Sequence, residues 1–237
     1  MKITITDSRI SEGAERALLK RGYTVLKLPR CPHMTEAISS HPDSLIFRIG
    51  NTVAATCGYC ETASYVFTDM RELCPSLRFA FIDVELGDRH PQDARMNAVA
   101  IGKFLLANKK TVVPEIIELA EKEGYTLLNV NQSYPNCSIL KLNDENVITS
   151  DEGIARVLEE NGINVLRIRQ GGISLPPYDY GFIGGASGVD GDTVYFLGDI
   201  MTHPDGEKIT EFIESLGMKA VSLTDGELVD LGGILFI

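Results

Sequence analysis

The chain has 237 residues and a formal net charge of −11 at pH 7, which argues against nucleic acid or an anionic membrane as partner because both select a basic surface. No apolar run approaches the roughly 18 residues that span a bilayer. A polar N-terminus and five cysteines, an odd number, predict a cytoplasmic protein with reduced thiols and no disulfide framework.

Four segments in chain order share one pattern, in which an amphipathic helix ends at a glycine and a short strand follows. Apolar residues recur at three- and four-residue spacing before the glycine and alternate with polar residues after it. Glycine suits this place because it lacks a Cβ and adopts the left-handed conformation that ends many helices. The four glycines are Gly22, Gly124, Gly162 and Gly217.

Pairs of short strands precede three of these helices: "NAVAIG" with "KFLLAN", "CSILKL" with "NVITS", and "FIGGASGV" with "TVYFLG". A further copy runs from "SLIFRI" and "TVAATC" through a helix near 59–72 to "LRFAFI", with Cys74 and Pro75 in place of the glycine. The repeating unit is therefore strand, strand, helix, strand, over about 40–50 residues, and such a period indicates a repeat architecture.

The copy that contains Gly22 lacks its first strand, while "GGILFI" at the C-terminus is a strand without a unit. We therefore predict that the last strand completes the first unit and closes a ring of five. The predicted protein is one α/β domain whose units span 230–237 plus 1–30, 41–84, 96–131, 136–170 and 181–225.

This arrangement resembles the guanidine-modifying enzymes, or pentein superfamily, over the whole chain. The resemblance implies a five-fold pseudo-symmetric α/β propeller of ββαβ units around a central channel. It is closest to an uncharacterised bacterial branch, through the strings "HPDSLIF", "QSYPNCSILKL", "GFIGGASGV" and "VDLGGIL".

The resemblance also implies a reaction in which a cysteine thiolate attacks a guanidinium carbon, carboxylates hold the cation and a histidine moves protons. A guanidinium offers a planar fork of donors that matches a carboxylate, and the thiolate is the nucleophilic form of cysteine. In the superfamily the nucleophile usually follows a glycine pair on the C-terminal strand. Ile234 stands there in this chain, and "VDLGGILFI" contains no cysteine.

In the fold that the chain resembles, the first strand of each unit lines the channel, so residues entering those strands converge. Cys137 in "YPNCSIL" is the candidate nucleophile, moved to another unit, and His41 is the candidate proton carrier. The candidate substrate-binding residues are Asp43, Asn97, Asn136, Gly185, Ser187 and Asp230.

Each candidate has a structural alternative. Free cysteine is often buried, so Cys137 also fits as a small residue in a tight channel. Asp43 and Asp230 also fit as strand-end caps that accept local backbone hydrogen bonds. His203, in a second "HPD", fits the start of a helix, with Pro204 at its first position. The glycine-rich "GFIGGASGVDG" lacks the lysine of a phosphate loop and favours close strand packing or close backbone approach to a ligand.

The string "ATCGYCE" places Cys57 and Cys60 two residues apart, which is the spacing of redox pairs and of half a zinc site. A zinc site would take Cys74 and either Cys31 or His33 as further ligands. The repeat around it is not thioredoxin-like, and no second C-x₂-C is present. We therefore expect the two cysteines to lie at a strand-to-helix turn, partly buried and reduced, and we predict no metal and no cofactor.

Two functions stay open on this sequence. One is a Cys-dependent hydrolase or transferase acting on a guanidino or amidine molecule. The other is a catalytically degenerate ring that binds a small cationic metabolite or a protein partner, and the missing C-terminal cysteine favours it. A homo-oligomer is compatible with either, because "GGILFI" could close the ring or form an interface.

Overall fold

The computed structural model of the chain describes residues 2–237, and its first elements form a strand-helix-strand unit. These elements are β1 (Lys2–Asp7), α1 (Glu12–Lys20) and β2 (Tyr23–Leu28). The second unit opens with a single helical turn and contains α2 (Pro42–Leu45), β3 (Ile46–Ile49), β4 (Thr52–Thr56), α3 (Cys57–Thr62), α4 (Ser64–Leu73) and β5 (Arg78–Ile82).

The remaining units repeat the order of the second. The third has β6 (Val99–Ile101), β7 (Phe104–Ala107), α5 (Pro114–Lys122) and β8 (Thr126–Asn129). The fourth has α6 (Pro135–Ser138), β9 (Ile139–Lys141), β10 (Asn146–Thr149), α7 (Glu152–Glu160) and β11 (Asn164–Arg167). The last elements are β12 (Ile173–Ser174), β13 (Ser187–Asp190), β14 (Thr193–Phe196), α8 (Gly206–Ser215), β15 (Lys219–Ser222), β16 (Leu228–Val229) and β17 (Leu235–Phe236).

Across residues 2–237, five three-stranded sheets share one topology, with an antiparallel pair followed by a parallel pair. Their strand orders are β17-β1-β2, β3-β4-β5, β6-β7-β8, β9-β10-β11 and β13-β14-β15. The C-terminal strand β17 pairs antiparallel with β1, so it takes the place that the first unit lacks. The predicted fold class, an α/β propeller of ββαβ units, is confirmed. A two-stranded sheet of β12 and β16 is an addition that the repeat did not predict.

The glycine pattern that revealed the repeat has the expected backbone cause. Gly22, Gly124, Gly162 and Gly217 have φ between 73° and 87°, in the left-handed region directly after their helices. At the other end of α7, the Asp151 carboxylate accepts a hydrogen bond from the Ile154 amide at 2.8 Å. Both ends of α7 are thus encoded by residues next to it in the sequence.

The inner strands begin later than the sequence indicates. Pro42 and Pro135 each start one helical turn, because a proline at the first helical position fixes φ and needs no amide partner. His41, Asp43 and Cys137 therefore lie in or next to these turns instead of opening a strand. In the fifth unit, "FIGG" is irregular and β13 begins only at Ser187. The long helix expected near 59–72 is two helices, divided at Ala63.

The buried apolar side chains lie between the sheets and the helices that cover them, as in Leu18 of α1 or Ile116 of α5. Towards the channel, glycines permit close approach between neighbouring units. A Cβ on Gly188 of β13 would lie 2.2 Å from the carbonyl oxygen of Ile234. The glycine-rich stretch therefore allows strands to pack closely, which is one of the two roles expected from the sequence. Among residues 2–237, no helix combines the length and the apolar character that a membrane crossing requires.

The "CGYC" pair lies where β4 ends and α3 begins, and both thiols are free and partly buried, as expected. Burial raises the pKa of Cys60 above its ordinary value. Over the part of the chain that the structure describes, no three histidine, cysteine or acidic side chains form a group that could hold a metal ion. The zinc alternative that joined Cys57 and Cys60 to Cys74 is therefore wrong.

Candidate functional site

Two cavities are lined by residues that lie at the entries to the inner strands. The first, called the His41 pocket here, has a volume of about 380 Å³. It is lined by Ile38, His41, Ser44, Gln132, Tyr134, Cys137, Leu175, Tyr178, Asp179, Tyr180, Phe182 and Asp230. The second, called the channel cavity, has a volume of about 500 Å³ and is lined by residues of all five inner strands, β3, β6, β9, β13 and β17.

His41 lies at the floor of the His41 pocket and is 1% exposed. Its Nδ1 is 3.8 Å from Asp230 Oδ1, its Nε2 is 3.9 Å from Asp7 Oδ2, and Nε2 has no hydrogen-bond partner. Burial, together with the positive charge of Arg9, lowers the pKa of His41 to about 3. The imidazole is therefore neutral at neutral pH, and its buried Nε2 makes no hydrogen bond within the protein.

The C-terminal glycine pair makes room for this imidazole. Gly232 has φ +70°, and a Cβ there would lie 2.3 Å from the Cβ of His41. The Gly232 carbonyl accepts a hydrogen bond from the Asp43 amide at 3.2 Å, which fixes α2 against the C-terminal segment. The glycines of "VDLGGIL" thus position the site, although the nucleophile that follows them in the superfamily is absent.

Asp230 lies beside His41 and is 1% exposed. Its carboxylate accepts from the Phe182 amide at 2.8 Å and from the Gly232 amide at 3.0 Å. Burial, followed by the negative charge of Asp43, raises the pKa of Asp230 to about 7. A Cβ on Gly185 would lie 2.0 Å from Asp230 Oδ1, so the glycine is what allows the carboxylate to sit there.

Asp43 is a second buried carboxyl, and it lines the channel cavity instead of the His41 pocket. Its Oδ1 accepts from the Ser44 hydroxyl at 3.2 Å, while its buried Oδ2 has no hydrogen-bond partner. Burial raises its pKa to about 6. Its carboxyl interacts with the thiol of Cys137, which lines the other cavity, so the two cavities approach each other at this pair.

Cys137 belongs to α6 and is 5% exposed, with its thiol in polar surroundings instead of apolar packing. The Asn97 amide donates to its Sγ at 3.2 Å. Burial, and then the negative charges of Asp43 and Asp230, raise the pKa of Cys137 well above its ordinary value. At neutral pH the sulfur is therefore a thiol and a poor nucleophile.

Asn97 links three of the converging segments. Its Nδ2 also donates to the Asp43 carbonyl at 3.1 Å, and its Oδ1 accepts from the Asn136 amide at 2.8 Å. All of these partners belong to the protein, so the side chain positions α2 and α6 relative to each other. A direct contact between Asn97 and a substrate stays a prediction.

The other candidates lie around the channel. Asn136 and Ser187 line the channel cavity, and the Ser187 hydroxyl donates to the Ile183 carbonyl at 2.7 Å. Gly185 donates its amide to the Cys137 carbonyl at 3.1 Å. His203 is buried in a different place, where its Nδ1 accepts from the Asp205 amide. Helix α8 begins only at Gly206, so the placement of Pro204 at its first position was wrong.

Sequence reasoning missed two groups of residues at the site. Asp7 ends β1 and is fully buried beside His41, where Arg9 neutralises it through bonds of 2.6 and 3.0 Å. The signal in the sequence was an acidic residue at the end of a strand in which apolar and polar residues alternate. The loop between β12 and β13 contributes Tyr178, Asp179 and Tyr180 to the pocket, and it follows no repeat, so nothing in the periodicity indicated it.

Residues 5–235 match the model of a family of unknown function, DUF6873. The chain belongs to that family. Among curated proteins, no match is found.

Three solved structures of guanidine-modifying enzymes share this fold. One is a cysteine-to-serine mutant of dimethylarginine dimethylaminohydrolase from Pseudomonas aeruginosa in complex with citrulline: 11% identity, TM-score 0.59, 100% of this chain and 98% of that chain covered. The inosamine-phosphate amidinotransferase of Streptomyces griseus has 16% identity and a TM-score of 0.58, with 95% of this chain and 78% of that chain covered. The agmatine deiminase of C. jejuni has 8% identity and a TM-score of 0.53, with 94% of this chain and 76% of that chain covered. The pentein resemblance is thus confirmed, and at these identities the likeness concerns the fold.

Proposed function

We propose that the protein binds a small organic cation, with a guanidinium, amidinium or ammonium group, in the His41 pocket. The observation that carries this proposal is the convergence of His41 and Asp230 on one aromatic-lined cavity. Asp43 lines the adjoining channel cavity, and its negative charge acts on Asp230. A cation offsets the repulsion between the two buried carboxyls and offers N–H donors to Asp230. The citrulline complex of the dimethylarginine dimethylaminohydrolase, which has the same fold, supports a small-molecule pocket.

Calorimetric titration with methylguanidinium and with neutral methylurea, which has nearly the same shape, tests this proposal. We expect methylguanidinium to bind at least ten-fold more tightly. Its affinity should rise between pH 6 and pH 8, because Asp230, with a pKa of about 7, then becomes an anion. Equal binding of the two compounds, or a preference for methylurea, contradicts the proposal.

The Asp230→Asn variant is expected to lose most of the preference for methylguanidinium. Asp69→Asn is the matched control, since Asp69 is an exposed acid on α4 that lies outside the pocket lining. A melting temperature for each variant separates loss of binding from loss of folding.

A Cys-dependent reaction is a second candidate, favoured because Cys137 lines the same pocket as His41 and Asp230. The sulfur would form a bond to the guanidinium carbon while the C–N bond to the leaving amine breaks. The thiol proton would pass through the imidazole of His41 to that amine. Water, in a hydrolase, or a second amine, in a transferase, would then take the amidino group and restore the thiol.

The electrostatics of the site favour binding over this reaction. The raised pKa of Cys137 and the lowered pKa of His41 both disfavour a thiolate beside an imidazolium. A bound cation acts in the opposite direction on the thiol, because a nearby positive charge stabilises the thiolate. Catalysis is therefore expected only if the substrate itself activates Cys137.

Alkylation with cationic chloroacetamidine and neutral chloroacetamide, read at each cysteine by mass spectrometry, tests the second candidate. We expect the cationic reagent to label Cys137 at least ten-fold faster than the neutral one. Cys57, which is partly exposed and outside the pocket, is the internal reference and should show no such preference. A Cys137 that stays inert to both reagents in the folded protein contradicts a nucleophilic role.

A cytoplasmic location and a homo-oligomeric state stay predictions.

A further inference from the structure

The exposed fractions of its lining residues show the depth of the His41 pocket. His41, Cys137 and Asp230 are between 1% and 5% exposed and form the floor. Tyr178 is 49% exposed, and the neighbouring Asp179 is also exposed, so this loop forms the mouth. An acidic side chain therefore stands at each end of the cavity.

The lining contains no positive charge that could balance these acids. Across residues 2–237, no lysine or arginine lines the pocket, and His41 is neutral. Arg9, which follows β1, binds Asp7 and the carbonyls of Glu36 and Ala37. Arg169 is likewise held by Asp205. A carboxylate on a ligand would find no cationic partner here.

The walls between the two acids are aromatic and held in place. Tyr180 and Phe182 pack edge to face, with ring centroids 6.2 Å apart, and the Gln170 amide donates to the Tyr180 hydroxyl. The Tyr134 hydroxyl donates to Asp93 at 2.7 Å. Aromatic faces attract cations and also pack against alkyl chains, whereas they offer nothing to a carboxylate.

We infer that the ligand of this pocket is a dication without a carboxylate, with one cationic group at Asp230, an alkyl spacer along the tyrosines and a second cationic group at Asp179. This inference rests on the proposed function and narrows it. An α-carboxylate, as in a guanidino amino acid, would lie near Asp179 and be repelled. His41 lines the floor and is 1% exposed, and its buried Nε2 has no hydrogen-bond partner, so the floor contains a polar atom that the protein itself does not satisfy.

Three ligands that share one guanidinium and alkyl chain test this inference by titration calorimetry. Agmatine lacks the carboxylate, argininamide replaces it with a carboxamide, and arginine retains it. We expect agmatine and argininamide to bind at least ten-fold more tightly than arginine at low salt. The preference should shrink as salt is added, because the mouth is exposed to solvent.

Asp179→Asn is expected to weaken agmatine binding about five- to ten-fold while arginine binding stays unchanged or improves. Asp69→Asn, the same change at a distant exposed acid, should alter neither. Equal affinity for arginine and agmatine, or an Asp179→Asn variant that keeps the full preference, overturns this inference alone. Absence of binding by all three ligands overturns both this inference and the proposed cation pocket.

Discussion

Asp230 is the residue whose protonation state sets the charge of the pocket floor. Its two backbone amide partners favour the anion, yet burial and the charge of Asp43 outweigh them, and its pKa rises to about 7. A carboxyl that is half protonated near neutral pH can take up a cation by releasing a proton. The same property makes Asp230 a measurable contributor to stability.

We predict that Asp230 stabilises the fold in acid and less so at higher pH. Its folded pKa, about 7, lies above the ordinary value of 3.8, so the folded state holds the proton more tightly than the unfolded chain. The contribution is complete below about pH 4 and is lost as pH rises through about 7. The difference in unfolding free energy between the native protein and Asp230→Asn should therefore fall by on the order of 3 kcal/mol between pH 4 and pH 8.

Urea denaturation at a series of pH values measures this difference. His41 titrates in both proteins, so its opposite contribution largely cancels in the comparison. Asp69→Asn, the same change at an exposed acid outside the pocket, is the control for the substitution itself. A constant difference for Asp230→Asn would show that its carboxyl is not perturbed.

At the scale of elements, short segments that enter the ring carry the site. Turns α2 and α6 begin at Pro42 and Pro135, with His41 directly before the first proline and Cys137 two residues after the second. The C-terminal segment meets α2 at Gly232, where the two backbones approach too closely for any side chain. This contact sets the distance between His41 and Asp230.

Gly232→Ala is predicted to destabilise the protein by roughly 3 kcal/mol or more, since it adds a steric clash with His41 to a strained positive φ. Gly191→Ala is the matched control, because Gly191 has φ +59° with no atom within 4 Å of its added Cβ. The control isolates the backbone strain, about 1 kcal/mol. Thermal and urea unfolding measure both, and equal losses would mean that the contact at His41 relaxes freely.

At the scale of the whole molecule, closure of the ring joins the first and fifth units. Strand β17 pairs with β1, and Phe236 packs against Tyr23 and Tyr195 at ring-centroid distances of 5.0 and 5.2 Å. The Tyr23 hydroxyl donates to Asp190 at 2.6 Å, which also belongs to the fifth unit. The three aromatic side chains therefore join the C-terminal strand to the first and fifth units.

Phe236→Ala is expected to lower the unfolding free energy by about 3–5 kcal/mol, as for other large core truncations. Phe81→Ala is the comparison, because Phe81 is 39% exposed and its loss should cost much less. The two variants can be compared by urea denaturation followed by circular dichroism. If Phe236→Ala cost no more than Phe81→Ala, closure by β17 would contribute little to stability.

The amino-acid sequence by itself determined the repeat, because helix ends and strand alternation depend on residues that are close together in the chain. Gly22, Gly124, Gly162 and Gly217 required a left-handed backbone, and the strand missing from the first unit matched the one left over at the end. The resemblance to the pentein fold then implied that His41, Cys137 and Asp230 converge, which nominated them as a group.

Only the tertiary structure decided which of the nominated residues share a cavity and what charge they carry. Asp43 and Cys137 interact and yet line different cavities. Asp179 and the pocket tyrosines come from segments outside the repeat units. Burial, hydrogen bonding and the distance between charges set each pKa, and those quantities depend on neighbours that are far apart in the chain. Local patterns encode the elements, whereas the chemistry of the pocket arises from their packing.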